Sequence, residues 1–183
     1  MKKTESKKNK PIVLIGMMGA GKTTIGELLA RHLELSWIDT DHHVESTTKQ
    51  EIPEIFEHHG ERYFRELESQ ALIHALAHFD VISSGGGVIT IDKNSELLKD
   101  AYVIYLKAEI KTLVDRLNAT DRPLLKDVDM YQRLTDLLEM RRGLYESAAD
   151  LIVETDKLSP DQVVAKIEEV LEKIYRFGCQ HFS

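Results

Sequence analysis

Residues 16–24 read GMMGAGKTT, and everything that can be said of this chain works outward from them. Gly16, Gly19, Gly21, Lys22 and Thr23 fit the pattern G-x-x-x-x-G-K-[ST]. The flanks give it the right context. PIVLIG at 11–16 is a short apolar run rich in β-branched residues, which predicts a buried parallel strand. KTTIGELLARHL at 22–33 has apolar residues at 25, 28, 29 and 33, the spacing of one helix face. A glycine loop between a strand and a helix lets the backbone turn its N–H groups inward, and the positive end of the helix adds to their field. Such a loop is built to hold a phosphate chain. Lys22 is expected to reach the β- and γ-phosphates and the Thr23 hydroxyl to ligate magnesium. Gly19, Ala20, Gly21 and Thr24 complete the expected nucleotide-binding set. A chance match in a Gly-rich turn is the alternative, and the strand and helix together weigh against it.

Length and composition bound the rest. The 183 residues suit one domain with a full core. With 42% hydrophobic and 30% charged residues the chain reads as soluble and globular. A net charge of −7 argues against a nucleic-acid surface, so an anionic nucleotide must be held by local positive charge. The lone Cys179 excludes an internal disulfide framework and a Cys-rich zinc site. No apolar run approaches the length of a membrane span. The start, MKKTESKKNK before PIVLIGMMGAG, imitates a secretion signal, but cleavage there would destroy the phosphate loop. Residues 1–10 are therefore expected to be a disordered basic tail, 11–175 a single domain and 176–183 a second tail. A cytoplasmic monomer is expected.

Short apolar runs alternate with helical patterns along the chain. LSWID (35–39), VISS (81–84), AYVIYL (101–106) and DLIVE (150–154) join the first strand as strand candidates. Helical patterns fill roughly 44–79, 109–117, 129–142 and 159–176. The alternation predicts an α/β fold with a parallel sheet covered on both faces, its ligands at the carboxyl ends of the strands.

Three groups of residues bear on what the phosphate is used for. SWID runs into DTD, and two carboxylates two residues apart beside a magnesium–phosphate site can divide labour. Asp39 would orient magnesium-bound water, and Asp41 would accept a hydrogen bond from an incoming hydroxyl and act as its base. The competing reading is an N-cap pair that opens the next helix. Arg65 sits at the edge of an apolar stripe and has Glu61 and Glu68 within reach, an ordinary surface ion pair. Arg141 shares a helical face with Leu134, Leu137 and Leu138, so its guanidinium either snorkels or meets an anion such as a substrate carboxylate. Finally, RLNATDRPLLKDVD (116–129) has the make-up of a lid over about 117–128. There Arg122 either closes onto the phosphates or is a solvated charge.

In order, GMMGAGKTTIG, DTDHHVE, IPEIFEHHGERYFRELE, SSGGGVI, DRPLL and RRGLYESAAD resemble the motifs of the shikimate kinase family over residues 11 to 175. The resemblance implies a five-stranded, three-layer fold of the nucleoside-monophosphate-kinase type, with a lid and a helical region for the acceptor. It implies ATP- and magnesium-dependent phosphorylation of the 3-hydroxyl of shikimate, a step towards chorismate and the aromatic amino acids. By motif, Asp41 would bind the shikimate hydroxyls, Arg65 and Arg141 its carboxylate, and Gly86 would offer a backbone contact. Arg122 is similar to the lid arginine on ATP, and Arg116 resembles the arginine that lies against the adenine. The bland reading of GGG is a tight turn; its place after a buried strand favours close backbone approach. One departure is Gly143, where the family usually has Pro, and a looser end to the helix carrying Arg141 is expected from it. The pairs His42–His43 and His58–His59 are expected to be solvated or packed, since adjacent residues point apart on a helix. Two rivals remain at this point: a kinase of the same fold with another acceptor, such as gluconate or a nucleotide, and a nucleotide-binding regulatory module without catalysis.

Overall fold

A computed structural model describes residues 10–118 and 130–178. Five strands form one sheet: β1 (Ile12–Ile15), β2 (Trp37–Asp39), β3 (Val81–Ser83), β4 (Tyr102–Lys107) and β5 (Leu151–Glu154). Their order is β2-β3-β1-β4-β5, and every pairing is parallel. β1 is central: Ile12 lies opposite Val81 on one side and Tyr102 on the other. All four of its residues are buried, as a strand must be when both faces of the sheet are covered.

The helices are α1 (Lys22–His32), α2 (Thr40–Thr48), α3 (Ile52–His78), α4 (Asp92–Leu98), α5 (Ile110–Asn118), α6 (Met130–Ala148) and α7 (Pro160–Gly178). α1 packs on α7 and against β1, β2 and β3, while α6 packs on α5 and β4. α1 buries Ile25, Gly26, Leu29 and Ala30 against the sheet. α2 and α3 pack on each other and carry a second, smaller core of Val44, Ile55, Phe64 and Ala71.

The strand and helix pattern expected from the sequence is present, with corrections. The helical region expected from 44 begins at Thr40, because Asp39 caps it. It is also interrupted twice, at Lys49 and at Gly60, whose φ of 78° and ψ of 171° are open to glycine alone. A short 3-10 turn (Val88–Thr90) and α4 were not expected at all; α4 has only 7 residues, too few for a helical period to show. The helix carrying Arg141 does not loosen at Gly143 but continues to Ala148. A Cβ at Gly143 would meet nothing within 4 Å, so packing does not require glycine there. The tail expected from 176 is helical as far as Gly178. The proposed N-terminal tail up to residue 9, most of the lid, and Arg122 lie outside the described residues.

The chain leaves β1 towards β2 and leaves β4 towards β5, in opposite directions. A crevice opens at such a point, beyond the carboxyl ends of the strands. The loop at 16–21 stands at that end of β1.

Candidate active site

The loop enters α1 without a side-chain cap, and Gly21 takes the N-cap place at φ 95°. A left-handed residue there turns the first N–H groups of the helix outward, and only glycine adopts it without strain. Lys22 Nζ donates to Gly16 O at 2.9 Å and Met17 O at 3.0 Å, so the ammonium is folded across its own loop. Thr23 and Thr24 lie exposed in the first turn. On the far side of the loop Arg116 Nη1 donates to Gly19 O and Ala20 O, each at 3.4 Å, and to Thr155 Oγ1 at 3.1 Å. Its Nη2 donates to Thr155 O at 2.8 Å. The guanidinium of α5 is thereby set against the loop that would carry the nucleotide.

Asp39 caps α2 and, with its other oxygen, meets Thr23. Its Oδ1 accepts the backbone N–H groups of Asp41 (3.0 Å) and His42 (3.2 Å), which is a helix N-cap. Its Oδ2 accepts the Thr23 hydroxyl at 2.7 Å. A hydroxyl and a carboxylate oxygen, hard donors beside a helix N-terminus, are the set that magnesium takes next to phosphates. Asp41 is the second residue of α2, and among the described residues its carboxylate makes no hydrogen bond. Burial, reinforced by the charge of Asp39 and opposed by Lys22, pushes the Asp41 carboxyl up to about 6.

Opposite Asp41 lies the glycine turn after β3. A side chain at Gly85 would collide with Asp41 Oδ1 and Glu68 Oε1, and one at Gly87 with the Arg65 guanidinium. The glycines are there because charged groups crowd the backbone from the α2–α3 side. Gly85 N–H is held by Thr40 Oγ1 at 3.1 Å. Gly86 O accepts Arg141 Nη1 at 3.2 Å and Tyr145 Oη at 2.5 Å, both from α6. Arg65 binds Glu68 Oε2 at 2.8 Å and Glu61 Oε1 at 2.9 Å. Both pairs foreseen as bland surface contacts exist, but one is not at the surface: Glu68 is 1% exposed. Burial pushes the Glu68 carboxyl up, while Arg65 and then Arg141 pull it back. Among the described residues its Oε1 has no hydrogen-bond partner. Asp41, Arg65, Gly86 and Arg141 are thus brought together around one turn.

Several participants were missed. Tyr145 follows Arg141 by four residues and continues the stripe from Leu134 and Leu138; its burial against Tyr105 (4.9 Å between ring centroids) was legible in that spacing. Burial pushes its hydroxyl up to about 12, so it remains a donor to Gly86. Thr40 and Thr155 gave no signal, because a lone threonine beside a strand end has no pattern. Of the histidines, His43 stacks on His74 at 4.7 Å and His74 on His78 at 4.5 Å; His42, His58 and His59 are exposed.

A phosphate loop on the central strand of a 2-3-1-4-5 parallel sheet, with carboxylates at the next strand and arginines facing them, defines a phosphate-loop kinase of the nucleoside-monophosphate-kinase type. The chain belongs to the shikimate kinase family, whose model matches residues 18–172. It is 43% identical over 162 residues to a shikimate kinase of Rhodococcus erythropolis, covering 87% of this chain and 96% of that one. A shikimate kinase of Rippkaea orientalis is 41% identical over 167 residues, covering 90% and 89%. Among solved structures, a shikimate kinase from Acinetobacter baumannii in complex with shikimate superposes with a TM-score of 0.85 at 36% identity, over 91% of this chain and 95% of that one. The shikimate kinase of Aquifex aeolicus gives 0.76 at 32%, over 90% and 98%.

Proposed function

We infer that this chain transfers the γ-phosphoryl group of ATP, with magnesium, to the 3-hydroxyl of shikimate, giving ADP and shikimate 3-phosphate on the route to chorismate and the aromatic amino acids. The observation that carries the reading is the meeting of Asp41 with Arg65 and Arg141 around the Gly85–Gly87 turn, beside the phosphate loop. A carboxylate that accepts from hydroxyls and two guanidiniums that take a carboxylate fit a cyclic hydroxy acid better than gluconate or a nucleobase. Retention of Lys22, Thr23, Asp39 and Asp41 together speaks against a module without catalysis.

The residue roles follow from chemistry. The first-turn N–H groups of α1 and Lys22 hold the β- and γ-phosphates; to do so the Lys22 ammonium leaves the Gly16 and Met17 carbonyls. Thr23 and Asp39 hold the magnesium ion, which when bound offsets charge on the phosphate oxygens. Arg116 borders the adenine. Arg65 and Arg141 fix the shikimate carboxylate, and Gly86 lines its ring. Asp41 orients the 3-hydroxyl and takes its proton as the hydroxyl oxygen bonds to the γ-phosphorus and the bond from that phosphorus to ADP breaks. A carboxyl near pH 6 is ionised at neutral pH yet more basic than a free aspartate, which suits that task. Arg122, outside the described residues, is assigned to the phosphates of ATP by its likeness to the family's lid arginine.

Residues 11–175 are read as one kinase domain, and the protein as a cytoplasmic monomer that takes no nucleic acid. Among the described residues no helix is long and apolar enough to cross a membrane. A coupled ATP assay with shikimate, quinate, gluconate and nucleoside monophosphates tests the function. Turnover with shikimate far above the others is expected; preference for another acceptor, or no ATP turnover at all, would overturn it.

A further inference from the structure

A chain of hydrogen bonds runs from β2 through β3 into the first turn of α1. Trp37 Nε1–H donates to Ser83 Oγ at 3.0 Å, and the Ser83 hydroxyl donates to Lys22 O at 2.8 Å. Its direction has no alternative. An indole N–H only donates, so Ser83 Oγ must accept it, and the one hydroxyl proton is left for the carbonyl. Gly26, one turn into α1, makes room: a Cβ there would run into both Ser83 Oγ and Trp37 Nε1. The helix is therefore seated directly on this pair of side chains.

The Lys22 carbonyl and the Thr23 N–H belong to one peptide group. A hydrogen bond accepted at the carbonyl end polarises the group and makes its N–H a stronger donor. It also fixes the plane of the peptide. The Thr23 N–H is in the first turn of α1, where N–H groups have no acceptor within the helix. The helix makes its first backward bond from Ile25 N–H to Gly21 O, at 2.9 Å. On the kinase reading, on which this inference rests, the Thr23 N–H is a phosphate donor.

We propose that Trp37 and Ser83 are positioning residues for the nucleotide, acting through the Lys22–Thr23 peptide to aim and strengthen a phosphate-binding N–H. On this reading neither side chain belongs to the nucleotide site itself. Nor does either hydrogen-bond to Asp41, Arg65 or Arg141 among the described residues, so the effect is confined to the phosphate side of the site. A tie that merely fastened α1 to the sheet would lower stability without choosing between ligands.

Calorimetric titration of ADP with magnesium, and separately of shikimate, into the wild type, Ser83→Ala, Trp37→Phe and the double variant separates the two. Ser83→Ala is expected to weaken ADP about three- to tenfold, the range of one hydrogen bond, with shikimate affinity in the absence of nucleotide unchanged within about twofold. Trp37→Phe keeps an aromatic ring, removes the indole N–H and frees the hydroxyl to rotate, so a smaller loss of ADP affinity is expected. The double variant should be no weaker than Ser83→Ala, since both residues act through the same peptide. Unchanged ADP affinity in both single variants, equal loss of ADP and shikimate, or additive losses in the double variant overturns the proposal. Should Ser83→Ala not fold, Trp37→Phe alone decides on the same criterion. A wild type that binds no ADP overturns the kinase reading itself, and this inference with it.

Discussion

The Thr23 hydroxyl and the Asp39 carboxylate meet at 2.7 Å, while the other oxygen of the same carboxylate closes the first turn of α2. One side chain thus links the nucleotide-binding helix to the helix that presents Asp41. Two variants separate its duties. Asn caps helices as well as Asp does, so Asp39→Asn should keep most of the stability, while Asp39→Ala should lose about 1 kcal/mol. Both should weaken magnesium-dependent ADP binding. Chemical denaturation and calorimetry read the two effects, and an Asp39→Asn protein with intact magnesium dependence would remove Asp39 from the metal site.

Lys22→Met should abolish turnover in a folded protein. The lysine rests on two carbonyls of its own loop, contacts that carry little stability at this partly buried site. Its charge matters when negative charge shifts on the transferring phosphoryl group, where one such contact is worth about 3–4 kcal/mol, a hundredfold or more in rate. Near-wild-type kcat in Lys22→Met would contradict the assignment.

Arg65 and Arg141 are expected to respond alike to loss of the planar fork and differently to loss of the whole charged group. Arg65→Lys and Arg141→Lys should each raise the KM for shikimate and leave ADP affinity nearly intact. Arg65 also neutralises the buried Glu68, so Arg65→Ala should cost about 3–5 kcal/mol of stability by stranding that carboxylate. Arg141→Ala strands no carboxylate and should cost less. Thermal denaturation beside kinetics checks the ordering; equal stability losses would mean that Glu68 does not depend on Arg65.

Asp41 gives a pH signature. Its carboxyl is raised from 3.8 to about 6, so between those values the folded protein holds a proton that the unfolded chain has released. Stability from this group is therefore complete below about pH 4 and is lost as pH rises to 6, by no more than about 3 kcal/mol. Asp41→Asn removes the ionisation. It should raise Tm at pH 7.5 and change it little at pH 4, while shikimate turnover falls at least a hundredfold. For the wild type, kcat/KM for shikimate should drop below about pH 6. A variant no more stable at pH 7.5 than the parent would show that Asp41 is not held under strain by burial.

How far these features could be read from the chain depends on their range. The phosphate loop, α1 and β1 were legible because each is local: a φ preference, a periodicity, an unbroken β-branched run. Asp39 was legible as a cap or as a magnesium support but not as a partner of Thr23, since capping is local and that contact joins residues brought together only by β2 and the start of α1. Glu68 was misjudged for the same kind of reason. Three residues from an arginine on a helix looks like a surface pair, and only the packing of α3 against the glycine turn buries it. Trp37 carries no motif and Ser83 only opens SSGGGVI, so their relation appears only when β2 and β3 pair.

The smaller core beneath α2 and α3 has a consequence for amide hydrogen exchange. Among the described residues the core of that lobe is four buried apolar side chains, Val44, Ile55, Phe64 and Ala71, with Ile52 and Leu67 packed against them, and the helix through it is broken at Gly60. So little buried apolar area makes local opening far easier than opening of the five-stranded sheet. Amides over 40–71 should exchange through a separate, low-energy opening while β1 and β4 stay protected. A ligand that clamps Asp41 to Arg65 should slow that exchange selectively, so the acceptor lobe takes its full order from the molecule it binds.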